Sequence, residues 1–156
     1  MMLRFRKMMA VLLAAALTLT MLTACGGGGS RASVDAKVKL TESVNEALKK
    51  DGYTEILKYD AKIDETAYDY RVNDAGRMNA DWEENNLNRK MFKVIVPEAE
   101  KADSASKIAK AVERTLTDIK SYEWSIGYYI EPKENSKQEV VIREFTIILE
   151  WKKVTK

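Results

Sequence analysis

Histidine is absent from this chain of 156 residues, and cysteine occurs once, at Cys25. Without histidine there is no Ser-His or Cys-His pair for nucleophilic catalysis, and the commonest metal ligand is missing too. A single cysteine forms neither an intramolecular disulfide nor a thiolate metal cluster. We therefore predict no cofactor, no resident metal ion and no catalytic residue.

A surplus of charge of one sign is also lacking. The chain has 26 basic and 24 acidic residues; three of the bases, Arg4, Arg6 and Lys7, lie in the first 24 residues, which contain no acid. The remaining 23 bases and 24 acids nearly balance, so they create no positive field that would attract a phosphate backbone. No basic stripe with interleaved aromatic residues occurs either, so we expect no nucleic-acid partner.

Proline is scarce, with only Pro97 and Pro132, so the body of the chain is not a Pro-rich stalk. A hydrophobic content of 46% beside a charged content of 32% is typical of globular proteins and not of disordered ones. We expect a single globular domain over residues 34–156 once any processed segment is removed.

The amino terminus has the layout of a secretory signal. Basic residues in positions 1–7 precede an uncharged, mainly apolar stretch from Met8 to Leu22. As a helix this stretch of about 15 residues would span roughly 22 Å, less than the ~30 Å hydrocarbon core of a bilayer. We prefer a cleaved signal peptide over residues 1–24 to the alternative, an uncleaved anchor.

Leu22-Thr23-Ala24-Cys25 follows the apolar stretch and resembles the lipobox of bacterial lipoproteins. The resemblance covers the first 25 residues and implies cleavage between Ala24 and Cys25, with diacylglyceryl transfer to the Cys25 thiol. It also implies a location on the outward face of the cell membrane, attached through that lipid. The alternative for Cys25 is an ordinary buried cysteine.

Residues 25–33 contain Gly26-Gly27-Gly28-Gly29-Ser30, a composition typical of a flexible coil. The roughly eight residues after Cys25 would have an r.m.s. span of order 15 Å. This segment is predicted to be a tether between the lipid and the domain.

Periodicity predicts an α+β fold, an antiparallel sheet with two helices packed on one face. One helix is expected over Val34–Lys50, with Thr41 as a possible cap and Asn45 on its solvated face. The other is expected from Asp103 or Ser104 to about Lys120.

Strands are expected where apolar residues alternate with polar ones. These are residues 56–63, a hairpin over 67–83 (or a short irregular helix), Met91–Val96 ended by Pro97, 122–130, and 140–151, with a polar loop at 83–88 and a turn at 131–136.

Acidic residues are frequent between positions 60 and 84, which raises a loose calcium site and a carboxylate-dependent hydrolase as alternatives. They are Asp60, Asp64, Glu65, Asp69, Asp74, Asp81, Glu83 and Glu84. Aligned on Gly76, the stretch fails the EF-hand pattern. Ser104 and Lys107 stand at i, i+3 as in Ser-x-x-Lys enzymes, but the companion motifs are absent.

Adjacent Tyr128 and Tyr129 point to opposite faces of a strand, so at least one of them faces away from the core. Aromatic side chains on strands mostly serve packing, but exposed tyrosines are typical of recognition surfaces. We predict a binding surface at Tyr129 together with Tyr68 and Tyr70. The leading hypothesis is a non-catalytic module that binds an extracellular protein, peptide or glycan; the alternatives are an assembly subunit of an envelope complex and the small hydrolase.

Overall fold

The computed structural model describes residues 32–54, 56–73, 81–84 and 87–154, which form three α-helices, one 3-10 helix and five strands. In chain order these are α1 (Val34–Lys50), β1 (Leu57–Tyr59), α2 (Ala61–Asn73), β2 (Asp81–Glu84), β3 (Leu87–Pro97), the 3-10 helix (Glu98–Asp103), α3 (Ser104–Glu113), β4 (Tyr122–Glu134) and β5 (Val140–Lys153). The predicted signal peptide and lipobox lie outside the described residues.

The strands make one sheet in the order β1-β4-β5-β3-β2. β1 runs parallel to β4, and all other neighbours are antiparallel, so the sheet is mixed and the predicted α+β class is confirmed. β4 and β5 pair as the predicted hairpin, with an irregularity between Lys133 and Glu134. β4 continues to Glu134, so the turn predicted at residues 131–136 begins later than expected.

The two faces of the sheet carry different cores because side chains alternate along each strand. α1 and α3 pack together over one face and share a large apolar cluster, the first core, with Phe92, Ile126 and Phe145 among its strand residues. α2 packs on β4 and β5 over the other face. The smaller cluster there, the second core, consists of Ile63, Ala67, Met91, Tyr129 and Ile148, with Tyr70 against it.

α1 begins at Val34 because Ser33 caps it, accepting a hydrogen bond from the Ala36 amide at 3.2 Å. The apolar residues Ala36, Leu40, Val44 and Leu48 then recur every four positions and face the first core. Thr41 therefore lies inside the helix, and its predicted role as a cap is wrong.

The hairpin predicted over residues 67–83 is wrong, because residues 61–73 form α2. Ile63, Ala67 and Tyr70 lie at i, i+4 and i+7, so a helix brings them all onto the sheet. Gly127 of β4 permits this close approach: a Cβ built there would stand 2.6 Å from the Ile63 Cβ. The strand predicted over residues 56–63 is correspondingly limited to Leu57–Tyr59.

Three further expectations are corrected. α3 ends at Glu113 and not near Lys120, and Asp118 in the following turns has a positive φ of 47°, incompatible with helix. The loop expected at residues 83–88 is partly strand, since β2 extends to Glu84 and β3 starts at Leu87. Asn45 is buried rather than solvated.

Candidate functional site

The three predicted surface tyrosines lie on or under α2. Tyr68 and Tyr70 belong to the helix, and Tyr129 lies beneath it on β4. Tyr68 is 41% exposed and its ring centroid is 5.1 Å from that of Tyr129, with the rings inclined at 59°. Tyr129 faces away from the first core, but α2 covers it and leaves 8% exposed, so its expected exposure is wrong.

An ion pair holds this group in place. Arg71 of α2 donates from Nε to the Glu131 carboxylate of β4 at 3.0 Å and makes a second hydrogen bond to it from Nη2. The Arg71 guanidinium also stands 5.3 Å from the centroid of the Tyr129 ring. We call Tyr68, Arg71, Tyr129 and Glu131 the tyrosine site.

The charges of the tyrosine site are fixed at neutral pH. Partial burial alone would raise the pKa of Glu131, but hydrogen bonds and charge from Arg71 and Lys133 outweigh it and lower the pKa from its ordinary 4.5. The hydrogen bond to Glu131 likewise raises the pKa of Arg71. The exposed Tyr68 ring therefore packs on Tyr129, beside Arg71 and Glu131, which are already paired with each other.

A second polar group, which the sequence analysis missed, lies where α1, β1, α2 and β4 meet. Asp64 of α2 accepts from Lys37 of α1 at 2.6 Å, from the Tyr59 hydroxyl at 2.5 Å and from the Tyr128 amide at 2.8 Å. The Lys37 and Asp64 side chains are only 8% and 15% exposed. We call Lys37, Tyr59, Asp64 and Tyr128 the edge network, because Asp64 occupies the β4 edge beyond the last residue of β1.

Burial is the largest influence on the pKa of the two tyrosines in the edge network. It raises the pKa of Tyr59, and the hydrogen bond and negative charge of Asp64 raise it further. Burial also raises the pKa of Tyr128, which exceeds the opposing effect of its 2.9 Å hydrogen bond with Thr41. Both phenols are therefore protonated at neutral pH, and Tyr59 donates to Asp64. The two rings are stacked, with their centroids 6.3 Å apart.

Asn45 fastens the start of β1 to α1. Its amide nitrogen donates to the Leu57 carbonyl at 2.9 Å, and its carbonyl accepts from the Leu57 amide at 3.1 Å. The side chain thus pairs with a backbone that has β4 on its other side. Lys37, Thr41 and Asn45 recur every four residues beside the apolar stripe of α1, which is the sequence signal that could have revealed their burial.

A third group of rings lies at the other end of the sheet. Trp124 and Trp151 are stacked, with their ring centroids 5.2 Å apart. Tyr122 contacts Trp124 edge-on, at a centroid distance of 6.0 Å. Trp124 is buried, and its indole Nε1 has no hydrogen-bond partner in the described part of the chain.

The acidic stretch does not assemble into a site among the described residues, which contain no group of three or more Cys, Asp or Glu placed to hold a metal ion. Asp64 is committed to the edge network, and Asp60 accepts from the Lys62 amide at 2.9 Å. Asp74 and the side chains of Asp81, Glu83 and Glu84 lie outside the described residues.

The Ser104 and Lys107 side chains of the Ser-x-x-Lys pair both bind other residues and not each other. Ser104 is buried and donates to the Lys101 carbonyl at 2.7 Å, and Lys107 is paired with Glu100. Asp103 is the residue before α3, and its side chain makes no capping hydrogen bond.

The lipidation and cleavage residues, Ala24 and Cys25, lie outside the described part of the chain. Among the described helices, none has the length and apolar character that crossing a membrane requires. No family model, no curated protein and no solved structure matches the chain.

Proposed function

We propose that this protein is a lipid-anchored binding module on the outward face of the cell membrane. A diacylglyceryl group on Cys25 holds it there. The residues between Cys25 and Ala32, which packs in the first core, separate the lipid from the domain. The tyrosine site contacts an extracellular protein, peptide or glycan. The supporting observation is the exposed Tyr68 ring, which lies on a buried Tyr129 that Arg71 and Glu131 hold in one orientation.

Preordering is the physical reason to favour recognition at this site. A tyrosine offers a large amphipathic contact with few rotatable bonds, and a ring already packed on its neighbour loses little further freedom on binding. Arg71 and Glu131 are paired with each other, so binding beside them does not leave a buried charge without a partner.

The carboxylates described at this site and its neighbour have structural partners, which favours binding over hydrolysis. Glu131 is paired with Arg71 and Lys133, and Asp64 accepts three hydrogen bonds. Hydrolysis by paired carboxylates needs one group free to give or take a proton and a second free to attack or to activate water.

Replacing Tyr68 tests the binding surface. Full-length Tyr68→Ala, Tyr68→Phe and wild-type proteins are crosslinked in intact envelopes, and captured partners are compared by mass spectrometry. We expect Tyr68→Ala to lose partners that Tyr68→Phe, which keeps the ring, largely retains. Val154→Ala, at an equally exposed position beyond β5, is the control. Capture unchanged by Tyr68→Ala would refute the site.

Replacing the single cysteine tests the anchor separately. Cys25→Ala removes the thiol that would receive the lipid, so we expect the variant to lack the mass of the diacylglyceryl group and to keep its leader. If the wild-type chain also keeps its leader and lacks the mass of the lipid, and both chains fractionate with membranes, the apolar segment 8–22 is the anchor and the lipid proposal is wrong.

A further inference from the structure

The sheet edge at β3 is longer than the strand that covers it. β3 runs from Leu87 to Pro97, and β2 pairs only with Leu87–Lys90. In the described part of the chain, no backbone group bonds Lys93–Pro97 on the side that faces away from β5. Ile95 is 54% exposed, and Lys93 and Pro97 are exposed as well. We call Lys93–Pro97 the open edge.

One hydrogen bond fixes the direction of the backbone groups along β4. Tyr128 donates its amide to Asp64, which lies on the β1 side of β4. Because backbone groups point alternately to the two sides of a strand, those of Tyr129 point toward β5, where Thr146 is the paired residue. Thr146 therefore points back toward β4, and the adjacent residue of β5, Phe145, points toward β3.

The same alternation continues into β3. Phe145 pairs with Val94, so the amide and carbonyl of Val94 are bonded to β5. Those of Lys93 and Ile95, on either side of Val94, point out from the sheet. The open edge thus presents two amides and two carbonyls in the spacing of a β-ladder, and Pro97, which has no amide, ends the row of donors.

The side chains of the open edge leave this row accessible. Those of Lys93 and Ile95 lie on the second face, because they alternate with Val94, which is in the first core. A charged side chain commonly protects a sheet edge from pairing. Here the Lys93 ammonium is bound to Glu144 of β5 at 2.5 Å, which holds it over the sheet and not over the edge. Ile95 remains as an exposed apolar contact beside the backbone row.

We propose that an extended peptide segment of a partner protein binds the open edge as an additional antiparallel strand. Backbone hydrogen bonds to Lys93 and Ile95 supply the affinity, and the side chain opposite Ile95 supplies specificity. The segment has no proline opposite either residue, because both positions must donate an amide. An aliphatic β-branched side chain opposite Ile95 makes a favourable cross-strand pair. Since Glu144 already neutralises Lys93, an uncharged segment matches the edge.

The size of the open edge favours a short segment over a second copy of this chain. Its five residues form a row of about 16 Å at ~3.3 Å per residue. The row lies between the part of β3 that β2 covers and the 3-10 helix. A stable pair of folded chains buries about 1,200 Å² or more, well beyond one such row, whereas strand addition takes its affinity from the backbone. Binding at the open edge depends on neither the tyrosine site nor the lipid on Cys25.

Backbone methylation of a peptide probe tests the strand addition. The probe is fluorescein-labelled Lys-Thr-Val-Thr-Val-Thr-Glu, whose two valines take the places opposite Ile95 and Lys93. Its binding to the full-length protein in detergent micelles is measured by fluorescence anisotropy. Methylating both valine amides removes the two donors that face β3, so we expect affinity to fall about tenfold or more. Methylating the first two threonine amides, which face away from β3, is the matched control and should leave affinity nearly unchanged.

Ile95→Pro makes the corresponding change in the protein. It removes a donor that points out from the sheet and keeps the β5 ladder, so we expect a folded variant that binds the probe about tenfold more weakly. Tyr68→Ala should bind the probe as wild type does.

Three results would overturn the proposal. The first is no binding of the probe, or equal binding of both methylated peptides. The second is loss of binding in Tyr68→Ala, which would place the peptide at the tyrosine site. The third concerns Ile95→Pro: unchanged binding would exclude the open edge, and an unfolded variant would contradict the outward direction of the Ile95 amide.

Discussion

The two faces of the sheet differ in kind. The first core, under α1 and α3, joins apolar residues from four strands and is almost wholly sealed from solvent. The second core, under α2, has five buried residues and a rim of ion pairs that includes Arg71–Glu131 and Lys93–Glu144. The difference indicates that stability is concentrated on the first face. The second face instead carries charged side chains and the exposed ring of Tyr68.

The sharpest way to break this comparison is to remove one fully buried residue from each core. Phe145→Ala should cost about 3–5 kcal/mol of unfolding free energy, and Ile148→Ala, in the second core, about 2–4 kcal/mol. We expect Phe145→Ala to lower protection from hydrogen exchange throughout the domain, and Ile148→Ala mainly in α2. Equal loss of protection in α1 and α2 for both variants would show that the faces unfold as one unit.

The edge network should show the next largest effect. Asp64→Ala leaves the Lys37 ammonium buried without its partner, so we expect a loss of about 3 kcal/mol. Lys37→Met combined with Asp64→Ala should recover part of that loss, because no unpaired charge remains. Urea denaturation of both single variants and the double variant measures the coupling. A double variant as unstable as the sum of the two single variants would show that the ion pair adds nothing.

Gly127→Ala tests how closely α2 approaches the sheet. The added methyl group would overlap Ile63, so α2 must shift, and we expect a cost of about 1–3 kcal/mol. Ile63→Ala in the same chain should relieve part of the overlap. If Gly127→Ala alone is as stable as wild type, α2 does not sit against β4 as described.

The smallest effect is expected from Glu131. Its lowered pKa means that the paired carboxylate stabilises the fold above its ordinary pKa of 4.5, and that this contribution is lost as pH falls through the lowered value. Glu131→Gln should therefore cost about 0.5–1 kcal/mol near pH 7 and little near pH 3. Urea denaturation at both pH values measures this, and a cost that grows at low pH would contradict the sign.

The first face was predictable because its periodicity has one interpretation. In α1 the apolar residues recur every four positions, and in β5 Phe145, Ile147 and Leu149 alternate strictly. The second face was not. Tyr68, Tyr70 and Val72 alternate as a strand would, yet Ile63, Ala67 and Tyr70 also fit a helix, and the choice depended on the space that Gly127 leaves.

The site was partly predictable for a related reason. The alternation of Tyr128 and Tyr129 correctly indicates opposite faces, but sequence does not show that α2 covers Tyr129. Lys37 and Asp64 are separated by 27 residues in sequence, and the tertiary fold brings them together. Long-range polar pairs of this kind have no local pattern.

The most direct test of the central claim is the intact mass of the protein purified from its membrane. We predict a chain that begins at Cys25 and carries the added mass of a diacylglyceryl group on that residue. A free thiol at position 25, with residues 1–24 still attached, would contradict the anchor.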